Sequence, residues 1–149
     1  MTNAGQLARA LQMYAQDYDD HLPQASSWVT STGRYIRTIP ASRTPALRCP
    51  SVPGTDPSAI GYAFNAELSG KSRASVGALA LARLVYDTTS KAPNASDAVT
   101  TLPNPPRHAQ RQFRRASLPF NVIAYADGHV KAVNALGVAL PAPQNRRGR

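Results

Sequence analysis

The feature that most constrains the fold is a periodic apolar stretch near the amino terminus, from Leu7 to Asp20. Its large apolar residues recur at spacings of four, three and four positions, which places them on one face of an α-helix. An acidic run and Pro23 follow, and a proline disfavours helix at the residue before it. We therefore predict one amphipathic amino-terminal helix that packs on another layer. The residues of this packing face are Leu7, Leu11, Tyr14 and Tyr18.

The next segment, Pro23 to Pro57, is predicted to be a long irregular loop. Five further prolines, the last of them Pro57, prevent long regular structure there, although Tyr35 to Ile39 has the composition of a short helix or turn. A loop of this length needs anchors. We expect Trp28 and Tyr35 to pin it to the sheet or to the first helix.

Beyond residue 60 the pattern changes to strands. An Asp-Gly pair, Asp127-Gly128, separates the last two apolar runs and indicates a hairpin, for which we predict a type I′ turn. Ser90 to Pro119 is rich in proline, serine and arginine and is predicted to be an exposed loop. The candidate strands are Ile60–Asn65, Ala80–Asp87, Asn121–Ala126 and His129–Val133.

These elements predict an α+β fold: an amino-terminal helix packed on a small antiparallel sheet of about four strands, with a long pinned loop. Trp28, Tyr35, Tyr62 and Phe64 are expected to complete the core. The length of 149 residues suits one domain. We assign residues 1–140 to a globular head and residues 141–149 to a basic, disordered tail.

The formal charge of +9 is concentrated toward the carboxyl end. From residue 107 onward, eight Lys or Arg side chains face a single acid, Asp127. Two interpretations stay open: a solvated basic flank, or a surface that contacts nucleic acid, lipid headgroups or other acidic polymers. The residues of the second interpretation lie in the loop 107–115 and in the tail, and they are Arg111, Arg114, Arg115, Arg146, Arg147 and Arg149.

Residues with catalytic or ligand chemistry are few. Cys49 is the one cysteine, so it forms no disulfide within the chain, and its neighbours Arg48 and Pro50 offer no histidine context. We expect a packed thiol, or one whose partner lies outside this chain. No phosphate loop, nucleophile elbow or zinc spacing is present, and Glu67 is the only glutamate. The sequence thus predicts a protein that is not an enzyme and has no cofactor.

A metal site is likewise not predicted. The three aspartates at the end of the first helix, Asp17, Asp19 and Asp20, are carboxylates of the kind that Ca²⁺ binds, but they lack the glycine and distal glutamate of an EF-hand. We expect instead that these three side chains end the helix and form hydrogen bonds with the following loop, which is the alternative to a calcium site. We interpret Asp127 and His129 as turn residues, and we assign no ligand role to His21 or His108.

Seven short motifs follow one another between Asn3 and Val133. The first is the helical series Asn3, Gln6, Leu7, Ala10, Met13, Tyr14, Asp17, Tyr18 and Asp19 with Pro23, and the others are Trp28 with Tyr35-Ile36, Cys49-Pro50-Ser51, Gly61–Asn65, Leu84–Asp87, Arg107-His108 and Tyr125–Lys131. In this order they resemble those of prepilin-type proteins, the pseudopilins of the type II secretion protein G class, that carry the prepilin-associated His-x9-Asp-Gly domain. The Cys-Pro, Arg-His and Asp-Gly-His residues of that series are Cys49, Pro50, Arg107, His108 and His129.

The resemblance implies a structural subunit of a type II secretion or type IV pilus-like filament in the bacterial cell envelope, periplasmic or extracellular. Its partners would be other pilin-like subunits, in a homo- or hetero-filament. The alternative function is a binding module, adhesin-like or nucleic-acid-contacting, that uses the basic loop and tail. Related major pseudopilins have calcium-binding heads, with the site in a carboxy-terminal loop.

Two features depart from the family pattern. Eighteen residues, 109–126, separate His108 from Asp127, where the family name implies nine, so residues 109–119 resemble an insertion. The sequence does not contain the prepilin cleavage site, the Phe/Met start or the apolar half of the helix, which in the family anchors the subunit in the membrane. A chain that begins at Met1 is expected to be cytoplasmic, whereas a chain that begins upstream is expected in the envelope.

Overall fold

The computed structural model of the chain describes residues 2–37, 48–52, 54, 60–109 and 118–140. Two α-helices come first, α1 (Thr2–Asp17) and α2 (Trp28–Arg37). A mixed sheet follows, and both helices belong to the same hydrophobic core as the sheet. The expected α+β fold with an amino-terminal helix is therefore confirmed. The strands are β1 (Tyr62–Asn65), β2 (Arg83–Asp87), β3 (Ser96–Asp97), β4 (His108–Ala109), β5 (Pro119–Tyr125) and β6 (Val130–Val133).

Helix α1 buries a narrow face of small and aliphatic side chains. Leu7 and Leu11 are almost fully buried, as predicted, and the helix contacts α2, β5 and β2. Tyr14 is only partly buried. Small side chains let the helix approach the sheet closely and occupy the positions around the two leucines. They are Ala4, Ala8, Ala10 and Ala15.

The prediction that Tyr18 belongs to the buried face was wrong. Helix α1 ends at Asp17, one residue earlier, so Tyr18 no longer follows the helical period. The chain turns away through Asp19 and Asp20, both with positive φ, and the backbone N–H of Asp20 donates to the carbonyl of Ala15. Tyr18 is 45% exposed and stacks on Tyr14, with the ring centroids 4.1 Å apart.

The predicted loop after Pro23 contains a second helix, so that prediction was wrong for its first part. A short 3₁₀ turn, Ala25–Ser27, leads directly into α2. Trp28 begins the helix, is fully buried and donates from Nε1 to the carbonyl of Ala95 at 3.0 Å. The expected anchors are thus present, since Tyr35 is also buried and its hydroxyl donates to Asp17. Residues 38–47, with Ile39, lie outside the described residues.

The sheet has the order β3-β1-β2-β5-β4, and β6 also pairs with β5. The β1–β2, β2–β5, β4–β5 and β5–β6 pairs are antiparallel, but β1 and β3 are parallel, which corrects the expectation of a purely antiparallel sheet. Strands β3 and β4 each have two residues and lie inside the predicted loop 90–119. Such short pairings have too few alternating residues for a sequence pattern to reveal them.

The register of β5 decides which residues meet beyond the end of β2. Strand β2 pairs with β5 from Ile123 onward, whereas β4 pairs with the first two residues of β5, Pro119 and Phe120. His108 in β4 lies opposite Phe120. Asp87, the last residue of β2, accepts the backbone N–H of Val122 through its side chain. The two side chains of Asp87 and His108 therefore meet where β2 stops.

The β5–β6 hairpin forms at the predicted position but with a different turn. The N–H of Gly128 donates to the carbonyl of Tyr125, and the N–H of Tyr125 donates to the carbonyl of His129. Gly128 has φ +95°, whereas Asp127 is not among the residues with positive φ. This is the three-residue loop with a glycine in the left-handed region. The prediction of a type I′ turn was wrong, because Asp127 and Gly128 are not its two central residues.

The remaining core predictions hold. Tyr62 and Phe64 are buried, and the Phe64 ring lies 6.0 Å from that of Trp28.

Residues 111–115 and the tail 141–149 lie outside the described residues, and with them every arginine of the predicted polyanion surface. Among the described residues, no helix combines the length and the hydropathy needed to cross a bilayer.

Candidate functional site

Three residues with reactive side chains, far apart in sequence, meet in the interior. His108 Nε2 lies 3.0 Å from Asp87 Oδ2 and 3.6 Å from Cys49 Sγ. Cys49 and Asp87 are fully buried, and the His108 side chain is 13% exposed. We call Cys49, Asp87 and His108 the Cys–Asp–His cluster. The expectation that Cys49 lacks a histidine context was wrong, because that histidine lies 59 residues further along the chain.

Asp87 is the acidic member of the cluster and lies at the end of β2. Its Oδ2 accepts hydrogen bonds from the backbone N–H of Val122 at 2.7 Å and from His108. Its Oδ1 is buried and has no hydrogen-bond partner among the described residues. An ionised carboxylate in an apolar interior is very unfavourable unless it is paired. The cluster thus has one oxygen whose hydrogen-bonding capacity is unused.

His108 is the central member of the cluster. Its ring stacks on Phe120, the residue opposite it in the β4–β5 pair, with centroids 5.2 Å apart. Its other ring nitrogen, Nδ1, lies 3.1 Å from Ser51 Oγ. The hydrogen bond with Asp87, and after it the one with Cys49, raises the pKa of His108 to about 9, although burial opposes this shift. His108 is therefore an imidazolium at neutral pH.

Cys49 is held in place by its own backbone. Its N–H donates to the carbonyl of Ile60 at 2.8 Å, and its carbonyl accepts from the N–H of Val52 at 3.1 Å. Burial raises the pKa of the thiol, but the hydrogen bonds with His108 and with the backbone of Ser51 together bring it below its ordinary value. The cluster therefore favours the thiolate.

Arg107, the residue before His108, holds together two backbone segments with its guanidinium group. Its guanidinium donates to the carbonyls of Gly61, at 2.9 Å, and Thr88, and its backbone N–H donates to Asn121 Oδ1 at 3.0 Å. Gly61 has φ +78°, and a Cβ there would collide with Val52 and with the guanidinium. These contacts fix the start of β1 against the end of β2, so Arg107 has a structural role in the interior.

The arrangement does not resemble a catalytic triad in its chemistry. In a triad, the base binds the nucleophile through one ring nitrogen and the orienting carboxylate through the other. Here Cys49 and Asp87 approach the same nitrogen of His108. Ser51 does approach the other nitrogen, but a His108 that is already protonated cannot accept the serine proton at neutral pH. The cluster therefore differs from a triad in which ring nitrogen its partners occupy.

The other predicted site residues lie apart from the cluster. Asp17 accepts hydrogen bonds from Tyr35 and Arg34, and Asp20 forms an ion pair with Arg73 and accepts a hydrogen bond from the backbone N–H of Ala74. These contacts are the hydrogen-bonding role given above as the alternative to a calcium site. For Asp19 the structure shows a backbone role only, since its carbonyl oxygen lies 2.8 Å from His21 Nδ1.

Asp127 and His129 form a local pair on the β5–β6 turn. His129 Nδ1 lies 2.6 Å from Asp127 Oδ1, and both side chains are about one-third exposed. The His129 ring also stacks on Tyr125, with centroids 4.3 Å apart. The family-type His108 and the Asp-Gly turn are therefore not partners. His108 pairs instead with the aspartate that ends β2.

Asp87, Ser51 and Asn121 lie within the motifs and strands described from the sequence, but none of them was predicted to be a site residue. Their position in the sequence could have indicated such a role, because two of them are polar residues at the ends of apolar strand segments. Asp87 is the last residue of the Leu84–Asp87 segment, and Asn121 is the first residue of the apolar segment in β5. Asn121 is fully buried and also donates to the carbonyl of Pro103 at 2.8 Å. Only the register of β4 against β5 brings these residues to one place.

Comparison of the chain with protein-family models, with curated proteins and with solved structures finds no significant match.

Proposed function

We propose that this chain is the globular head of a pilin-like subunit that stacks with other pilin-like subunits into a filament of the bacterial cell envelope. The observation that carries the proposal is the packing of α1. A single amino-terminal helix buries Leu7, Leu11 and its alanines against the central strands β2 and β5 of a small sheet. This is the helix-on-sheet arrangement that the motif resemblance implies.

The residues that carry the resemblance also support each other structurally. Asn3 donates from Nδ2 to the carbonyl of Arg48, next to Cys49, at 2.7 Å. Gln12 donates from Nε2 to the carbonyl of Ala126 at 3.1 Å, at the hairpin that precedes β6. The bonds from Asn3 of the helical motif and from Gln12, which lies between the residues of that motif, thus tie α1 to both the Cys-Pro motif and the Asp-Gly motif, and the ordered motifs act as one framework.

This framework explains the buried polar groups of the interior as structural contacts and assigns them no enzymatic role. Asp87 and Arg107 satisfy backbone groups at strand ends, and His108 joins the side chains of Asp87, Cys49 and Ser51. A stacked subunit needs a rigid head, and these contacts supply rigidity. The type II secretion and type IV pilus classes are the filament systems that the resemblance favours.

The test is cellular. An antibody against the head is used on cells that express the chain from its own locus, with sheared surface material analysed by immunogold electron microscopy. We expect labelled filaments, and their loss on deletion of the prepilin-processing peptidase. Sequencing of the DNA upstream of Met1 is expected to show an in-frame apolar segment with a Gly-Phe-Thr-Leu-x-Glu-like start. A monomeric cytoplasmic protein that begins at Met1 would refute the proposal.

A further inference from the structure

We infer that the Cys–Asp–His cluster is a binding site for one divalent transition-metal ion of the zinc type. Each residue offers one ligand atom, namely the sulfur of Cys49, a carboxylate oxygen of Asp87 and a ring nitrogen of His108. These atoms all lie within 4.8 Å of one another. No other group of three such residues was found among the residues that the structure describes. The inference does not depend on filament assembly.

The distances fit a tetrahedral ion. With a metal–sulfur bond of about 2.3 Å and metal–nitrogen or metal–oxygen bonds of about 2.0–2.1 Å, tetrahedral ligand atoms lie roughly 3.3–3.6 Å apart. The observed separations are 3.6 Å between Cys49 Sγ and His108 Nε2 and 3.0 Å between His108 Nε2 and Asp87 Oδ2. These two separations differ from the tetrahedral values by a few tenths of an ångström or less, and the third, between Cys49 Sγ and the Asp87 carboxylate, is at most 4.8 Å.

The groups around the three ligands hold them in a ligand-like orientation. A metal-bound histidine usually hydrogen-bonds through its other ring nitrogen, which fixes the ring. Here His108 Nδ1 lies 3.1 Å from Ser51 Oγ, so Nε2 faces the cluster. The N–H of Val122 fixes the carboxylate of Asp87 through Oδ2. The backbone bonds of Cys49 to Ile60 and Val52 fix the third ligand.

An independent observation points to a missing partner. Asp87 is fully buried, and its Oδ1 has no hydrogen-bond partner among the described residues. A buried unpaired carboxylate oxygen is rare, because its desolvation is not compensated. A dication that displaces the Nε2 proton of His108 and the thiol proton of Cys49 is surrounded by a thiolate, a carboxylate and a neutral imidazole, so the group is neutral. Binding through both carboxylate oxygens of Asp87 would also give Oδ1 its missing partner.

The donor set selects the class of ion. A thiolate is a soft ligand and an imidazole an intermediate one, so the site favours zinc, and its analogue cobalt, over calcium or magnesium, which prefer all-oxygen sites. Three protein ligands leave the fourth tetrahedral position for water or another molecule.

The test is a titration of the full chain, purified without a polyhistidine tag and treated with EDTA, with Co²⁺ as the spectroscopic probe. We expect one equivalent of Co²⁺ to bind with a thiolate-to-cobalt charge-transfer absorption, and Zn²⁺ to displace it. Cys49→Ser, which keeps the size of the side chain, should abolish that absorption and weaken Zn²⁺ binding at least about a hundredfold, since even second-shell changes weaken metal sites 10–100-fold.

His108→Gln should weaken Zn²⁺ binding similarly. The matched controls are His21→Ala and His129→Ala, which remove the two histidines outside the cluster and should leave affinity and spectrum unchanged. Circular dichroism of each metal-free variant establishes that it is folded before the titration. Absence of Co²⁺ binding, a spectrum without a thiolate band, or equal Zn²⁺ affinity in folded Cys49→Ser would overturn the inference.

Discussion

Replacement of Asp87 by asparagine tests the electrostatics of the cluster in the metal-free chain. Asparagine keeps the shape of the side chain and can still accept the hydrogen bond from Val122 through its own carbonyl oxygen. It removes the negative charge that lies 3.0 Å from His108. Because this contact is the largest cause of the raised pKa of His108, the pKa should fall toward its ordinary value.

The magnitude follows from proton linkage. The pKa of His108 rises from 6.5 to about 9, and about 2.5 units at 1.36 kcal/mol per unit correspond to about 3 kcal/mol. A pKa raised in the folded state gives stability that is complete below pH 6.5 and is lost as the pH rises through 9. Because Cys49 contributes part of this shift, the substitution should lower the free energy of unfolding by at most about 3 kcal/mol at pH 6. Near pH 10, where His108 is neutral, the loss should be below about 1 kcal/mol.

The assay is urea denaturation at pH 6 and pH 10 in the presence of EDTA. Both proteins carry Cys49→Ser, so that titration of the thiol does not contribute, which makes the expected loss somewhat smaller. Asp97→Asn is the matched control, because that carboxylate binds the Tyr86 hydroxyl and backbone N–H groups but no histidine. Its effect should be nearly equal at both pH values. Equal losses for Asp87→Asn at pH 6 and pH 10, or no loss at pH 6, would refute the reasoning.

Three further substitutions test the packing by thermal unfolding followed by circular dichroism. Leu11→Asp should unfold the head, because it removes about 1.5–3 kcal/mol of apolar burial and buries a carboxylate. Tyr18→Asp, at an exposed side chain, is the control and should change stability by less than about 1 kcal/mol. An unchanged melting temperature for Leu11→Asp would contradict the placement of α1. Gly61→Ala should lower stability by more than about 1 kcal/mol, since φ is +78° and the Cβ meets neighbouring atoms; a neutral result would exclude that close contact. Trp28→Phe should cost about 0.5–1.5 kcal/mol, because the carbonyl of Ala95 loses one of its two donors and keeps the N–H of Phe64; a variant of equal stability would show that the bond from Trp28 is dispensable.

Local patterns along the chain predicted the elements whose signals are themselves local. The apolar period through Leu7 and Leu11 predicted α1, and the Asp127-Gly128 pair predicted the β5–β6 hairpin. Both depend on side chains within a few residues of one another. Helix α2 was missed because the prolines on both sides of it dominated the interpretation of residues 23–57, although the segment Trp28–Arg37 itself contains none.

The exact ends of the elements required the tertiary structure. Periodicity extends through Tyr18, but the turn at Asp19 and Asp20 is decided by contacts that are distant in sequence, such as the bond from the N–H of Arg73 to the carbonyl of Asp20. The turn type at Gly128 also required the structure, because it depends on the register of β5 against β6. A one-residue difference in register changes which residues are central in the turn.

Sequence alone determined that the chain has an amphipathic amino-terminal helix, a set of short strands and a single cysteine with no histidine beside it. Only the tertiary structure decided that Cys49, Asp87 and His108 share one buried place. The physical reason is that their proximity is fixed by the pairing of β4 with the first residues of β5, just beyond the end of β2. A two-residue strand has no periodic signal, so the pairing that assembles the cluster leaves no local trace in the sequence.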